Sequence, residues 1–130
     1  MTLVVDATVV TSALIDSGPT GTWAAEQMAA DPLAAPHHMP VEVANVLRRA
    51  VLRDEIPQSL AALALRDLLD LRIGLFPFEP FALRAWSLRE NVNPYDAWYV
   101  ALAESLDVPL ATLDSRLSRA PGSRCAFRTP

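Results

Sequence analysis

The chain has 130 residues, 52% of them hydrophobic, and its 15 acidic residues outnumber 11 basic ones to leave a net charge of −4. That is ample apolar material for one core at a length typical of one domain, which excludes disorder of the whole chain. An acidic chain also has no overall field to gather phosphates, so a passive basic nucleic-acid binder is excluded. Every basic residue is arginine, and the absence of lysine removes Schiff-base chemistry, a Walker lysine and a lysine phosphate clamp. The single Cys125 allows neither an internal disulfide nor a cysteine-rich zinc site. Asp6 interrupts the apolar opening, no basic segment precedes it, and no apolar run approaches the roughly 20 residues of a membrane helix. The expectation is a soluble, cytoplasmic protein with no membrane association.

Thr2–Val5 is short, β-branched and apolar, as a strand buried on both faces requires, and a short helix to about Ile15 follows Asp6. After a turn at Asp16–Pro19, Thr22–Ala30 reads as a helix closed by Asp31-Pro32, and Leu33–Ala35 as a brief strand. Pro40 suits the first position of a helix reaching about Arg53. Ile56–Ser59 breaks it and starts a leucine-rich helix through Leu71. Arg72–Phe78 is a strand candidate, Pro80 opens a helix to about Glu90, and Asn93-Pro94-Tyr95-Asp96 starts a nearly all-apolar helix to Leu106. Val108–Leu113 reads as a second buried strand, then a short arginine-containing helix, then an edge strand at Cys125–Phe127. The alternation, without repeats or a linker, predicts one α/β domain over residues 1–130 with a central, mainly parallel sheet flanked by helices.

Four carboxylates stand at element starts. Asp6 follows the first strand and reads as a helix N-cap, Glu42 falls in the first turn of the helix begun at Pro40, Asp96 lands near N3 behind a capping Asn93, and Asp114 follows the second clear strand. Capping accounts for each one singly. Together they are less easily explained, because strand carboxyl ends and adjoining helix starts share one rim of a parallel sheet, where ligands gather. Four carboxylates there would repel one another unless protonated or bridged by a cation, and an all-oxygen set suits Mg²⁺ or Mn²⁺ better than zinc. Such an ion would activate a water for attack on a phosphodiester and offset charge on the phosphoryl oxygens. Thr8 and Thr112 are placed to orient these acids or to make local turn bonds.

The segments Val4–Thr8, Val41–Arg49, Pro94–Glu104 and Pro109–Leu117 together resemble the PIN domain, and within it the VapC-type toxins of bacterial toxin–antitoxin pairs. The likeness runs in order over nearly the whole chain, and its most specific part is the Tyr95-Asp96 helix followed by the strand ending at Asp114. It implies a three-layer PIN-like fold and a Mg²⁺- or Mn²⁺-dependent endoribonuclease. Asp6, Glu42, Asp96 and Asp114 would be its metal-binding acids and Thr8 a polar support, where the family often carries serine. It also implies RNA as substrate, a cognate antitoxin as partner, and a homodimer or a toxin–antitoxin hetero-oligomer.

An acidic protein cutting an acidic polymer needs local positive charge. Arg48, Arg49 and Arg53 share the helix of Glu42 and Arg116 and Arg119 follow Asp114; Arg116 and one of Arg48 or Arg49 are the expected phosphate contacts, Arg49 lying on roughly the face of Glu42. Helical spacing puts Trp86 and Trp98 in the core and leaves Trp23 as a partner contact, as the apolar helix Leu60–Leu71 also is. His37-His38 reads as surface or packing, since no third ligand is spaced for zinc, and Glu104 as an outlying carboxylate on the face of Asp96. Three other readings compete: a DNA nuclease, a catalytically silent PIN-like interaction module whose acids are all caps, and a haloacid-dehalogenase-type phosphatase. The last needs a second acid where Thr8 stands and a later lysine, and neither exists.

Overall fold

In the computed structural model, which describes residues 1–130, the first apolar run forms strand β1 (Leu3–Val5), buried along its whole length. Two helices follow, α1 (Ala7–Ile15) and α2 (Pro19–Ala30), then β2 (Leu33–Pro36), α3 (Met39–Leu52), α4 (Gln58–Asp70) and β3 (Ile73–Phe76). A single 3-10 turn at Glu79–Phe81 leads into α5 (Ala82–Ser87) and α6 (Pro94–Leu106), and β4 (Leu110–Ala111), α7 (Ser115–Ser118) and β5 (Phe127–Arg128) complete the chain. No helix is long and apolar enough to cross a membrane.

All five strands run parallel in the order β3-β2-β1-β4-β5. The chain moves outward from β1 through β2 to β3 and then returns past β1 to β4. With right-handed crossovers, that reversal puts α1 to α4 on one face and α5 and α6 on the other. The contacts agree: α1 packs on α2, α3 and α4, whereas α6 packs on α5 and lies against β1, β2 and β4. The result is the expected three-layer α/β arrangement. Reversal of strand order between β1 and β4 opens a crevice at their carboxyl ends, the standard ligand position in such sheets. The core is built from Leu3, Val4 and Val5 of β1, Leu110 and Ala111 of β4, and the run Ala97–Ala103 broken only by Trp98.

Several boundaries differ from expectation for local reasons. Helix α2 begins at Pro19 rather than Thr22, because proline at the first position has a fitting φ and no N–H to strand. Gly21 is needed there, since a Cβ would stand 1.8 Å from the Asp16 carbonyl oxygen. The second buried strand shrinks to Leu110–Ala111, as Pro109 has no N–H and the ladder to the last segment starts with Leu110 donating to Ala126. The strand expected from Arg72 covers only Ile73–Phe76, and the last one falls at Phe127–Arg128. Trp86 is not in the core: the buried stripe is Phe81, Ala85 and Leu88, spaced by four and three residues, which leaves Trp86 64% exposed on the other side of a short helix.

Candidate active site

Asp6 is the centre of the crevice. It leaves β1, caps α1 with its carboxylate accepting from the Val9 amide at 3.2 Å, and is only 4% exposed. A buried carboxylate needs its lone pairs filled, and two hydroxyls do this: Thr8 Oγ1 donates to Oδ1 and Thr112 Oγ1 to Oδ2. Both threonines are themselves anchored, Thr8 accepting from the Leu113 amide and Thr112 from the Asp114 amide, each at 3.0 Å. Burial nonetheless outweighs these bonds and, with Asp96 adding repulsion, pushes the Asp6 carboxyl up to about 6.

The other acids come from helix starts. Asp96 sits in the first turn of α6, where the Asn93 side chain accepts from its amide at 2.9 Å and donates to Oδ2 at 3.4 Å. This is half of the expected capping box: Asn93 caps the Asp96 amide, but the Asp96 carboxylate takes the Asn93 side-chain amide in place of the N-cap backbone N–H. Burial raises its carboxyl, and repulsion from Glu42 and Asp114 raises it further. Asp114 caps α7, accepting from the Arg116 and Leu117 amides at 2.9 and 3.3 Å. Glu42, in the first turn of α3, accepts from the buried Tyr99 hydroxyl at 2.8 Å.

Each acid therefore caps or begins a helix, and Asp96 stands near enough to feel the other three. The repulsion links Asp6 to Asp96, and Asp96 to both Glu42 and Asp114. They flank two clefts: one lined by Thr8, Glu42, Asn45 and Arg49, the other by Asn93, Asp96, Asp114 and Arg116. Asp6 joins them, bonded to Thr8 on one side and to Thr112, which holds Asp114, on the other. The grouping is looser than the sequence led us to expect, since no three Asp, Glu, His or Cys side chains stand close enough to enclose a metal ion. A hard cation still fits the donors: they are all carboxylate oxygens, two of them with raised affinity for protons, and Mg²⁺ usually keeps several waters while taking one or two carboxylates.

Two side chains at the site were not singled out from the sequence. His38, read as surface or packing, is largely buried beneath aromatic rings, stacked on Trp98 at 4.7 Å, with Nε2 2.6 Å from Glu42 Oε1 though off the line of a hydrogen bond. Its i, i+4 spacing to Glu42 was the available signal. Tyr99 was hidden inside an apolar run, where only its hydroxyl marked it as different. Conversely, Glu104 does not join the cluster. Burial favours its protonation, but bonds from Arg84 at 2.7 and 3.1 Å and from the Arg124 amide at 2.7 Å hold its carboxyl low. Arg48 faces an apolar groove between α3 and α4, away from Glu42, whereas Arg49 and Arg116 line the two acidic clefts.

A parallel sheet with an acid-lined crevice at the switch of strand order defines a ligand-binding α/β domain, and the comparisons narrow it. The PIN domain model matches residues 3–123. Ribonuclease VapC1 of Mycobacterium tuberculosis is 44% identical over 126 residues, spanning 96% of this chain and 95% of that protein. Among solved structures, VapBC2 from Rickettsia felis bound to a promoter DNA fragment superposes with a TM-score of 0.70 at 11% identity, covering 100% of this chain and 99% of that one. VapC20 of Mycobacterium tuberculosis, a toxin that cleaves the sarcin–ricin loop, gives 0.68 at 15% identity over 89% and 92% of the two chains. The chain belongs to the PIN-domain family, in its VapC-type ribonuclease branch.

Proposed function

We propose that this chain, folded as one PIN-like domain, is a Mg²⁺- or Mn²⁺-dependent endoribonuclease and the toxin of a cytoplasmic toxin–antitoxin pair. The observation that carries the reading is the placement of Asp6, Asp96, Glu42 and Asp114 along the clefts of the β1–β4 crevice, with Asp6 buried and held by Thr8 and Thr112. Caps alone have no need of such crowding. A cation held among these acids would supply Lewis-acid activation of water and offset charge on the phosphoryl oxygens.

The chain's own part is positioning and charge. Thr8 and Thr112 fix both oxygens of Asp6, so the carboxylate does not have to reorganise when it takes a ligand. Arg49 stands in the cleft with Glu42, and Arg116 in the cleft with Asp96 and Asp114. Each can pair its guanidinium with a phosphate on either side of the scissile bond. An antitoxin has exposed apolar helix surface to cover, notably Leu63 and Leu69 of α4 at 54% and 72% exposure. The VapBC2 complex, a toxin with its antitoxin, supports such a partner.

The experiment is cleavage of a cellular RNA pool by wild type and Asp96→Asn, with end mapping and a single-stranded DNA pool in parallel. Mg²⁺- or Mn²⁺-dependent RNA cuts that vanish in the variant are expected. RNA cleavage that survives Asp96→Asn, or cutting of DNA alone, would overturn the assignment.

A further inference from the structure

Glu42 is bound asymmetrically. Its Oε1 takes the Tyr99 hydroxyl at 2.8 Å and lies 2.6 Å from His38 Nε2, while no protein donor reaches Oε2. Both partners are rigidly placed. Tyr99 is 1% exposed and its hydroxyl donates to Glu42. His38 ends the turn before α3 and is boxed by rings at one helical spacing on α6: Tyr95 at 5.6 Å, Trp98 at 4.7 Å and Tyr99 at 5.1 Å. Neither of its ring nitrogens finds a hydrogen-bond partner, so His38 fills the space beside Oε1 and packs against Tyr99 without donating to the carboxylate.

We infer that Tyr99, with the His38 ring packed beside it, is a positioning residue that reserves Oε1, so that Glu42 offers one oxygen, Oε2, to the cation. This rests on the metal-dependent reading above and adds a selectivity to it. A carboxylate held to one free oxygen suits a small octahedral ion such as Mg²⁺ or Mn²⁺. A carboxylate free to turn both oxygens inward suits Ca²⁺, which takes more ligands and accepts bidentate ones. The aromatic box thus works through Glu42 and needs no contact with RNA.

The test measures Mn²⁺ binding from the paramagnetic resonance signal of free Mn²⁺, and Ca²⁺ by competition, for the full chain and for Tyr99→Phe, His38→Phe and His38→Gln. Tyr99→Phe removes the donor and should weaken Mn²⁺ binding about tenfold, the usual effect of losing a group that orients a ligand. Ca²⁺ should weaken less, so the Mn²⁺-to-Ca²⁺ preference falls. His38→Phe keeps a ring beside Tyr99 and should stay near wild type, whereas His38→Gln removes that ring and should shift the preference in the same direction as Tyr99→Phe. Melting without metal separates packing from positioning. Wild-type Mn²⁺ affinity in Tyr99→Phe, or equal loss of both cations, overturns the inference. Should Tyr99→Phe fail to fold, an unchanged preference in His38→Gln overturns it instead. A wild type that binds no Mn²⁺ removes the metal-dependent reading itself, and this inference with it.

Discussion

Thr112 donates its hydroxyl to Asp6 Oδ2 across a sequence separation of 106 residues, and its oxygen also accepts from the Asp114 amide at 3.0 Å. One hydroxyl therefore ties the ends of β1 and β4 together at the crevice and binds two of the four acids into a single unit. Thr112→Val keeps the shape and removes that hydroxyl, leaving a buried carboxylate oxygen and an amide without partners. A loss of about 1–3 kcal/mol is expected in urea unfolding, together with reduced cleavage. Thr112→Ser should restore both. Equal behaviour of the two variants would show that the hydroxyl has no such role.

Asp6 makes the fold less stable at the pH where it would work. Burial raises its carboxyl from 3.8 to about 6, so the folded state holds this proton more tightly than the unfolded state. Stability from this group is full below the unfolded value and falls as pH rises through about 6, by ~3 kcal/mol in all. Asp6→Asn removes the buried charge. It should be more stable than wild type at pH 7.5 without divalent ions, similar to it near pH 4, and inactive. Denaturant titrations at the two pH values check the sign.

A divalent cation should reverse that penalty. It competes with protons for Asp6 and Asp96, both raised by burial and by neighbouring acids. Mn²⁺ at a hundredfold excess over its dissociation constant should add about 2.7 kcal/mol of stability by mass action. The gain in melting temperature should be larger at pH 7.5 than at pH 5, and absent in Asp6→Asn. A gain independent of pH, or one that persists in the variant, would place the cation elsewhere.

How far the sequence carries can be judged from these residues. Punctuation by proline and short apolar runs located nearly every element, because Pro19, Pro40, Pro80 and Pro94 stand at helix starts and leave few alternatives. The four acids were legible for the same reason: each stands where a strand ends or a helix begins, and parallel topology brings those points to one rim. What spacing could not supply was side-chain direction. Glu104, two turns from Asp96 on paper, is held by Arg84 instead, and Trp86 lies off the buried stripe of α5. His38 and Tyr99 acquire meaning only from contacts between α3 and α6, the latter pair with Glu42 separated by 57 residues.

Removing the Arg84–Glu104 pair provides a control for all of these variants. Arg84 also donates to the Gly122 carbonyl at 2.7 Å, so the pair fastens the segment before β5 to α6, away from the acidic clefts. Glu104→Gln should lower the melting temperature, and cleavage measured below the new transition should stay near wild type. Loss of cleavage without loss of stability would instead bring Glu104 back into the site.

Arginine alone must resolve the conflict between an acidic protein and an acidic polymer. With a net charge of −4, the whole chain repels RNA, so attraction has to be local to the crevice. Arg49 and Arg116 are exposed, line the two acidic clefts, and form no salt bridge with any protein carboxylate, which leaves their guanidinium groups available for phosphates. Each phosphate contact on a single strand contributes about 0.7 to the slope of log affinity against log salt. Arg49→Ala and Arg116→Ala should each weaken binding of RNA to the inactive Asp96→Asn protein and flatten that slope by about 0.7. Arg48→Ala, on the groove between α3 and α4, should leave the slope unchanged. If Arg48→Ala flattens it as much as Arg116→Ala does, the attraction is diffuse and the clefts do not hold the strand.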